Sequence, residues 1–133
     1  MSLETSLLVL VGGFIGGVLR FALSGFIGRR IGETFPWGTF VVNVSGALAI
    51  GAMAGLGASL GGVFSTDAFR DFVIVGVIGG YTTVSSFCLQ SLNLMLDGER
   101  RQASFNAVAS ALLCAFAVAA GYGGIFWLAG RWA

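Results

Sequence analysis

Residues 76–87 read Gly76-Val77-Ile78-Gly79-Gly80-Tyr81-Thr82-Thr83-Val84-Ser85-Ser86-Phe87, inside a stretch that carries no charge from 72 to 96. An apolar run of about 20 residues is enough to cross a bilayer. A glycine pair followed by Thr82, Thr83, Ser85 and Ser86 suits such a helix poorly. Glycine weakens a helix, and Thr and Ser offer the backbone competing hydrogen bonds. Lipid permits irregular backbone only where protein or a polar cavity takes up the freed groups. The stretch predicts a membrane helix broken near Gly79–Thr83, with the break at a functional place.

Outward from it, the charges punctuate the chain. The uncharged runs are 37–66, 72–96 and 102–130, and the segment 5–28 is interrupted only by Arg20. Four transmembrane helices are expected near 5–28, 37–58, 70–96 and 103–129, in one all-α domain over residues 1–133. Only 10% of the 133 residues are charged and 56% are hydrophobic, against roughly 25% charged in a soluble domain. The mean hydropathy is +0.93. No basic region precedes the first apolar run, so the first helix is expected to stay in the mature protein. A net charge of +1 gives no sign of a nucleic-acid partner.

Orientation is weakly specified. One side of the membrane carries Arg70 and Arg131, the other Arg29, Arg30, Arg100 and Arg101. Only basic residues count toward topology, and four against two predicts insertion both ways up.

The polar residues inside the spans have two readings each. Helix 1 carries Gly12, Gly13, Gly16 and Gly17, two overlapping GxxxG patterns that let helices approach closely in lipid. Arg20 either snorkels to the headgroups or lines an aqueous vestibule. Pro36 suits the first turn of helix 2, and Phe35, Trp37, Trp127 and Trp132 suit the membrane interface. Asn43 either makes an interhelical hydrogen bond or donates toward a permeating species. Asn106, Ser110 and Cys114 recur every four residues on helix 4, as a pore-facing stripe or as helix–helix glue. Gly98 is placed to cap the third helix.

Much chemistry is excluded. Without histidine there is no Ser–His pairing and no histidine proton relay. Cys88 and Cys114 lack any CxxC spacing and read as packing residues. No acidic residue falls inside the uncharged runs, although a proton-coupled pump would keep an intramembrane carboxylate. What remains is Asn43, Thr82, Thr83, Ser85, Ser86 and Ser110 as neutral donors, one deep arginine, and aromatic rings. Hydroxyl and amide protons and positive ring edges suit an anion. Carbonyls freed at a break suit a cation.

At this point the chain resembles the Fluc (CrcB) family of small bacterial fluoride channels, over all four helices. Gly12-Gly13-Phe14-Ile15-Gly16-Gly17-Val18-Leu19-Arg20-Phe21 resembles the family's GGxxGxxxR(Y/F/W). Pro36-Trp37-Gly38-Thr39-Phe40-Val41-Val42-Asn43 resembles its PxGTLxVN, and Gly79–Phe87 its GGxTTFSTF. The resemblance implies an antiparallel, dual-topology dimer in the bacterial inner membrane, with two pores that export fluoride passively. It implies a structural Na⁺ at the dimer interface, held by the backbone carbonyls of Gly79 and Thr82 from both subunits. Asn43 would line the pore and Phe87 would present a ring edge to fluoride. Thr83, Ser85 and Ser86 would join the anion pathway, the serines starting a polar track that reaches Ser110. Asn106 falls where relatives have tyrosine and Cys114 where they have serine. Arg20 matches the helix-1 arginine, near a vestibule.

Two positions depart from the family pattern. Val84 stands where the first motif phenylalanine belongs, and Gln90 where an acidic residue belongs. Either a homodimer runs with one phenylalanine per pore, or a paired homologous subunit supplies the missing ring. Two rival functions are a small multidrug-type antiporter, which needs a membrane-embedded carboxylate, and a non-transporting membrane subunit whose polar residues only join helices.

Overall fold

The computed structural model describes residues 2–32, 34–129 and 131. Trp132, expected at the interface, lies outside the described residues. Four stretches are helical and apolar enough to cross a membrane: Leu3–Ile31, Trp37–Leu60, Asp67–Leu96 and Arg100–Ala129. The chain therefore has the architecture of a multi-pass membrane protein.

Helix α1 is Leu3–Ile31 and α2 is Trp37–Leu60. A short 3₁₀ turn, Gly62–Ser65, leads into the third span. That span holds two helical pieces: α3 over residues 67–81, whose turns are π-wide from Arg70 to Ile78, and α4, Val84–Leu96. Helix α5 is Arg100–Ala129.

The helices outrun the expected spans because polar residues join their first turns. Ser2 caps α1 by accepting the Thr5 N–H at 3.2 Å, and Thr66 caps α3 by accepting the Phe69 N–H at 3.2 Å. Such caps satisfy N–H groups that a helix leaves unpaired. Arg100 and Arg101 begin α5 instead of preceding it. Gly98 follows α4 at φ 83°, and the Glu99 N–H returns to the Leu94 carbonyl at 2.8 Å. That left-handed position is open to glycine, as expected of a C-terminal cap.

Small residues decide the packing. A Cβ on Gly12 would lie 2.5 Å from the Phe72 carbonyl oxygen, and one on Gly16 would overlap that of Val77. The backbones of α1 and α3 thus meet directly. Gly13 and Gly17, the other GxxxG pair, have open space around their Cβ directions. On the opposite seam, Gly51 and Gly55 of α2 meet Val118 and Tyr122 of α5. Lipid tails are as apolar as leucine, so membrane helices associate through close backbone approach and polar contacts rather than burial of bulk. Accordingly Phe14, Phe21, Leu112 and Phe116 face outward, while the largest fully buried side chains are Val42 and Asn106.

Phe35, just before α2, is buried, with ring centroids 4.7 Å from Trp37 and 5.6 Å from Phe105. The turn before α2 folds the ring under α5, where edge-on aromatic contacts replace lipid.

Candidate functional site: a clamped backbone beside a mid-membrane cavity

Helix α3 ends where Ile78 is saturated. Its carbonyl accepts the Thr82 N–H at 3.0 Å and the Thr82 hydroxyl at 3.1 Å. Thr82 and Thr83 are extended, with φ −79°, ψ 159° and φ −151°, ψ 122°. Asn43, reaching from α2, takes over the backbone there. The Thr83 N–H donates to Asn43 Oδ1 at 2.8 Å, and Asn43 Nδ2 donates to the Thr83 carbonyl at 2.9 Å. Thr83 Oγ1 then caps α4, accepting the Ser86 N–H at 3.2 Å.

The diversion of two N–H groups has a specific result. In an unbroken helix the Thr83 N–H would reach the Gly79 carbonyl and the Ser86 N–H the Thr82 carbonyl. Here both donors go elsewhere, and the two carbonyls lose their helical partners. Of the two readings of Asn43, the interhelical hydrogen bond is realised, directed at backbone. The other of its two amide protons has no partner among the described residues.

Beside the break lies a cavity of about 560 Å³, in the middle of the spans. Asn43, Gly79, Thr82, Thr83, Val84, Phe87, Ser110 and Cys114 line it, with alanine, isoleucine and valine completing the wall. A second cavity, about 670 Å³, sits at the end of the bundle where α1 stops and α2 and α5 start. Its lining includes Ser24, Arg29, Trp37, Thr39, Gln90, Asn93 and Asp97. Thr39 and Asn43 are one turn apart on α2, as are Phe87 and Gln90 on α4. The α2 face therefore carries polar groups from the bundle end to mid-membrane, and the α4 face runs from the Gln90 amide to the Phe87 ring.

The candidate residues divide on this map. Asn43, Thr83, Phe87 and Ser110 meet at the mid-membrane cavity, together with Gly79, Thr82 and Val84. Ser85 is exposed and Ser86 half-buried; neither lines a cavity, and both hydroxyls lie 3.2 Å from Thr83 Oγ1. Arg20 is half-buried, lines neither cavity, and has no carboxylate partner among the described residues. Gln90 lines the end cavity, where its Oε1 is buried without a hydrogen-bond partner among the described residues. Cys114 lines the mid cavity with Ser110, but Asn106 does not: it turns to α4, and Asn106 Nδ2 donates to Ser91 Oγ at 2.9 Å. Ser91 escaped the sequence reading, as did Ser45, whose hydroxyl pairs with the Tyr81 hydroxyl at 2.8 Å. Thr39 could have been found from its spacing of four from Asn43.

Four membrane-length helices, with an α2 amide holding the extended backbone of the third span beside a mid-membrane cavity whose apolar wall carries a few polar groups, define a small polytopic protein. The family described as "CrcB-like protein, Camphor Resistance (CrcB)" matches residues 7–122, and the chain belongs to it. It is 77% identical over 128 residues to the fluoride-specific ion channel FluC 4 of Brucella abortus, covering 96% of both chains. It is 53% identical to FluC 2 of Rhodopseudomonas palustris over 116 residues, covering 87% of this chain and 88% of that one. For FluC of Opitutus terrae the identity is 50%, with the same coverage.

Proposed function

We propose that this protein is a fluoride-selective channel that lets fluoride leave the cell passively across the inner membrane. The 77% identity to a fluoride-specific ion channel, over 96% of both chains, carries this reading. The site supports it chemically. Fluoride is small and holds its water tightly, so a pore must replace that shell with donors and reject larger halides by size. The second Asn43 amide proton and the edge of the Phe87 ring are the groups that offer positive charge, while the Thr82, Thr83 and Ser110 hydroxyls, which donate to Ile78, Ser86 and Asn106, would have to rotate to join them. An inside-negative potential drives one anion outward with about 2.3 kcal/mol per 100 mV. Among the described residues no Asp or Glu lines the mid cavity, which disfavours the antiporter reading.

We further propose that two copies pair antiparallel and that a Na⁺ at their interface is held by the Gly79 and Thr82 carbonyls. Those are the carbonyls whose helical donors Asn43 and Thr83 divert. Among the described residues no cluster of His, Cys, Asp or Glu is placed to hold a metal, so backbone oxygen is the donor set that fits a hard cation. The ion, when bound, would offset the negative carbonyl ends and tie the two breaks together. With Val84 in place of a ring, the chain works with Phe87 alone or beside a paired homologous subunit.

The deciding experiment is fluoride efflux from proteoliposomes that contain the purified protein, with chloride as control. Electrogenic fluoride flux far above chloride is expected. Absent fluoride flux, or equal chloride flux, ends the proposal. Replacing Na⁺ by a large organic cation should abolish flux while the protein stays folded.

A further inference from the structure

Asn106 stands behind the mid-membrane cavity and not on its wall. It is 2% exposed and lines neither cavity. It belongs to a run of hydrogen bonds whose direction is set from one end. The Phe87 carbonyl only accepts, and Ser91 Oγ donates to it at 2.7 Å. A serine hydroxyl has one proton, so Ser91 must accept from Asn106 Nδ2. With its NH₂ committed to Ser91, Asn106 presents Oδ1 to Ser110, whose Oγ donates to it at 3.4 Å. The amide is placed this way because the Ser91 proton is spent on the Phe87 carbonyl, the shortest contact of the run; a flipped amide would have to draw that proton back.

The consequence falls on Ser110. This residue lines the cavity, yet its single proton points away from it, toward Asn106. Lone pairs face the cavity instead, which an anion meets unfavourably. The bond to Asn106 is the loosest of the run, far longer than the roughly 2.7–2.8 Å usual for O–H···O. We propose that Asn106 is a positioning residue that competes with the passing anion for the Ser110 proton and so sets how tightly the cavity holds it. This inference rests on the fluoride reading above. Fluoride entering the cavity draws the proton round by rotation about the Cβ–Oγ bond. When fluoride leaves, the proton returns to Asn106 Oδ1. The lost Asn106 bond is subtracted from every binding event, and conduction needs binding weak enough to leave.

The test is a double-mutant cycle on the concentration dependence of fluoride flux in proteoliposomes. It compares wild type, Asn106→Leu, Ser110→Ala and the double variant. Leucine keeps the approximate shape of asparagine without its donor or acceptor. Asn106→Leu is expected to lower the half-saturating fluoride concentration about five-fold, the effect of one net hydrogen bond. Ser110→Ala should raise it, and in that background Asn106→Leu should do nothing further. Equal shifts in both backgrounds, or no shift from Asn106→Leu, overturn the inference. A purely structural role would instead lower maximal flux regardless of residue 110. If leucine prevents assembly, Asn106→Ala serves as the second variant with the same expectations. A wild type that conducts no fluoride overturns the functional reading itself, and this inference with it.

Discussion

The α1–α3 seam and the α2–α4 seam solve the same problem in opposite ways. At the first, glycines remove side chains altogether, and backbone lies on backbone around Gly12, Gly16 and Gly76. There is no room for a Cβ at Gly12 or Gly16. At the second, Asn43 inserts a side chain, pulls two backbone groups out of helical register, and leaves a cavity of about 560 Å³. Tight contact by subtraction gives rigidity. Contact through an amide gives a site, because every group it diverts frees another. The third span belongs to both seams: its first half is held by glycines and its second half begins at the clamp.

The largest expected effect breaks the glycine seam. Gly16→Val should yield no folded protein, since even one Cβ overlaps the Val77 carbonyl; overpacking typically costs about 1–3 kcal/mol, and more where, as here, the clash is with backbone. Recovery of monodisperse protein on gel filtration would sink that reading of the seam. Next is the clamp. Asn43→Leu strands the Thr83 N–H and carbonyl away from water at about 1–3 kcal/mol each. Fluoride flux should fall to background, with faster hydrogen exchange at residues 82–86 than in α5. Exchange unchanged from wild type would mean that Asn43 does not hold the break.

Smaller effects sharpen the contrast. Phe87→Ile should slow fluoride about ten-fold or more while the oligomer stays intact, the ring edge being worth roughly 1 kcal/mol or above. An unchanged rate would remove Phe87 from the path. Gly13→Ala is the smallest. Its Cβ meets nothing within 4 Å, so stability should change by less than about 0.5 kcal/mol. A large loss of assembly would place a second copy on that face of α1.

The spans were legible because charge is so scarce here that each cluster marks a helix end. The irregularity expected at Gly79–Thr83 was legible only in its threonines: Thr82 and Thr83 are extended, whereas Gly79, Gly80 and Tyr81 stay helical, and Gly80 instead lets the Gly13 backbone approach. The clamp was only half legible. Asn43 needed a partner in lipid, but a backbone N–H and carbonyl forty residues away leave no mark in composition. Asn106 shows the limit of spacing. Recurrence every four residues places it with Ser110 and Cys114 on one side of a helix, but not how that helix is rotated against α4. A few tens of degrees decide whether an amide reaches a cavity or a serine. Phe35 shows a related limit: an aromatic ring near a helix start can meet headgroups or neighbouring rings, and its packing against Trp37 and Phe105 comes from the turn geometry, which spacing does not give. Ser85 and Ser86 show that a hydroxyl beside a break can be spent on the break itself.

The clamp also imposes an order in time. Asn43 is made forty residues before Thr83, which at about 5–20 residues per second is a delay of roughly two to eight seconds. Helix α2 ends at Leu60, so for the latter part of that interval the helix is complete while the amide still lacks its partner. An unpaired amide is disfavoured in lipid, so the arrival of the third span stabilises α2 in place. The first half of the chain is thus finished by the second, and a ribosome stalled between them would leave a helix that is made but not yet placed.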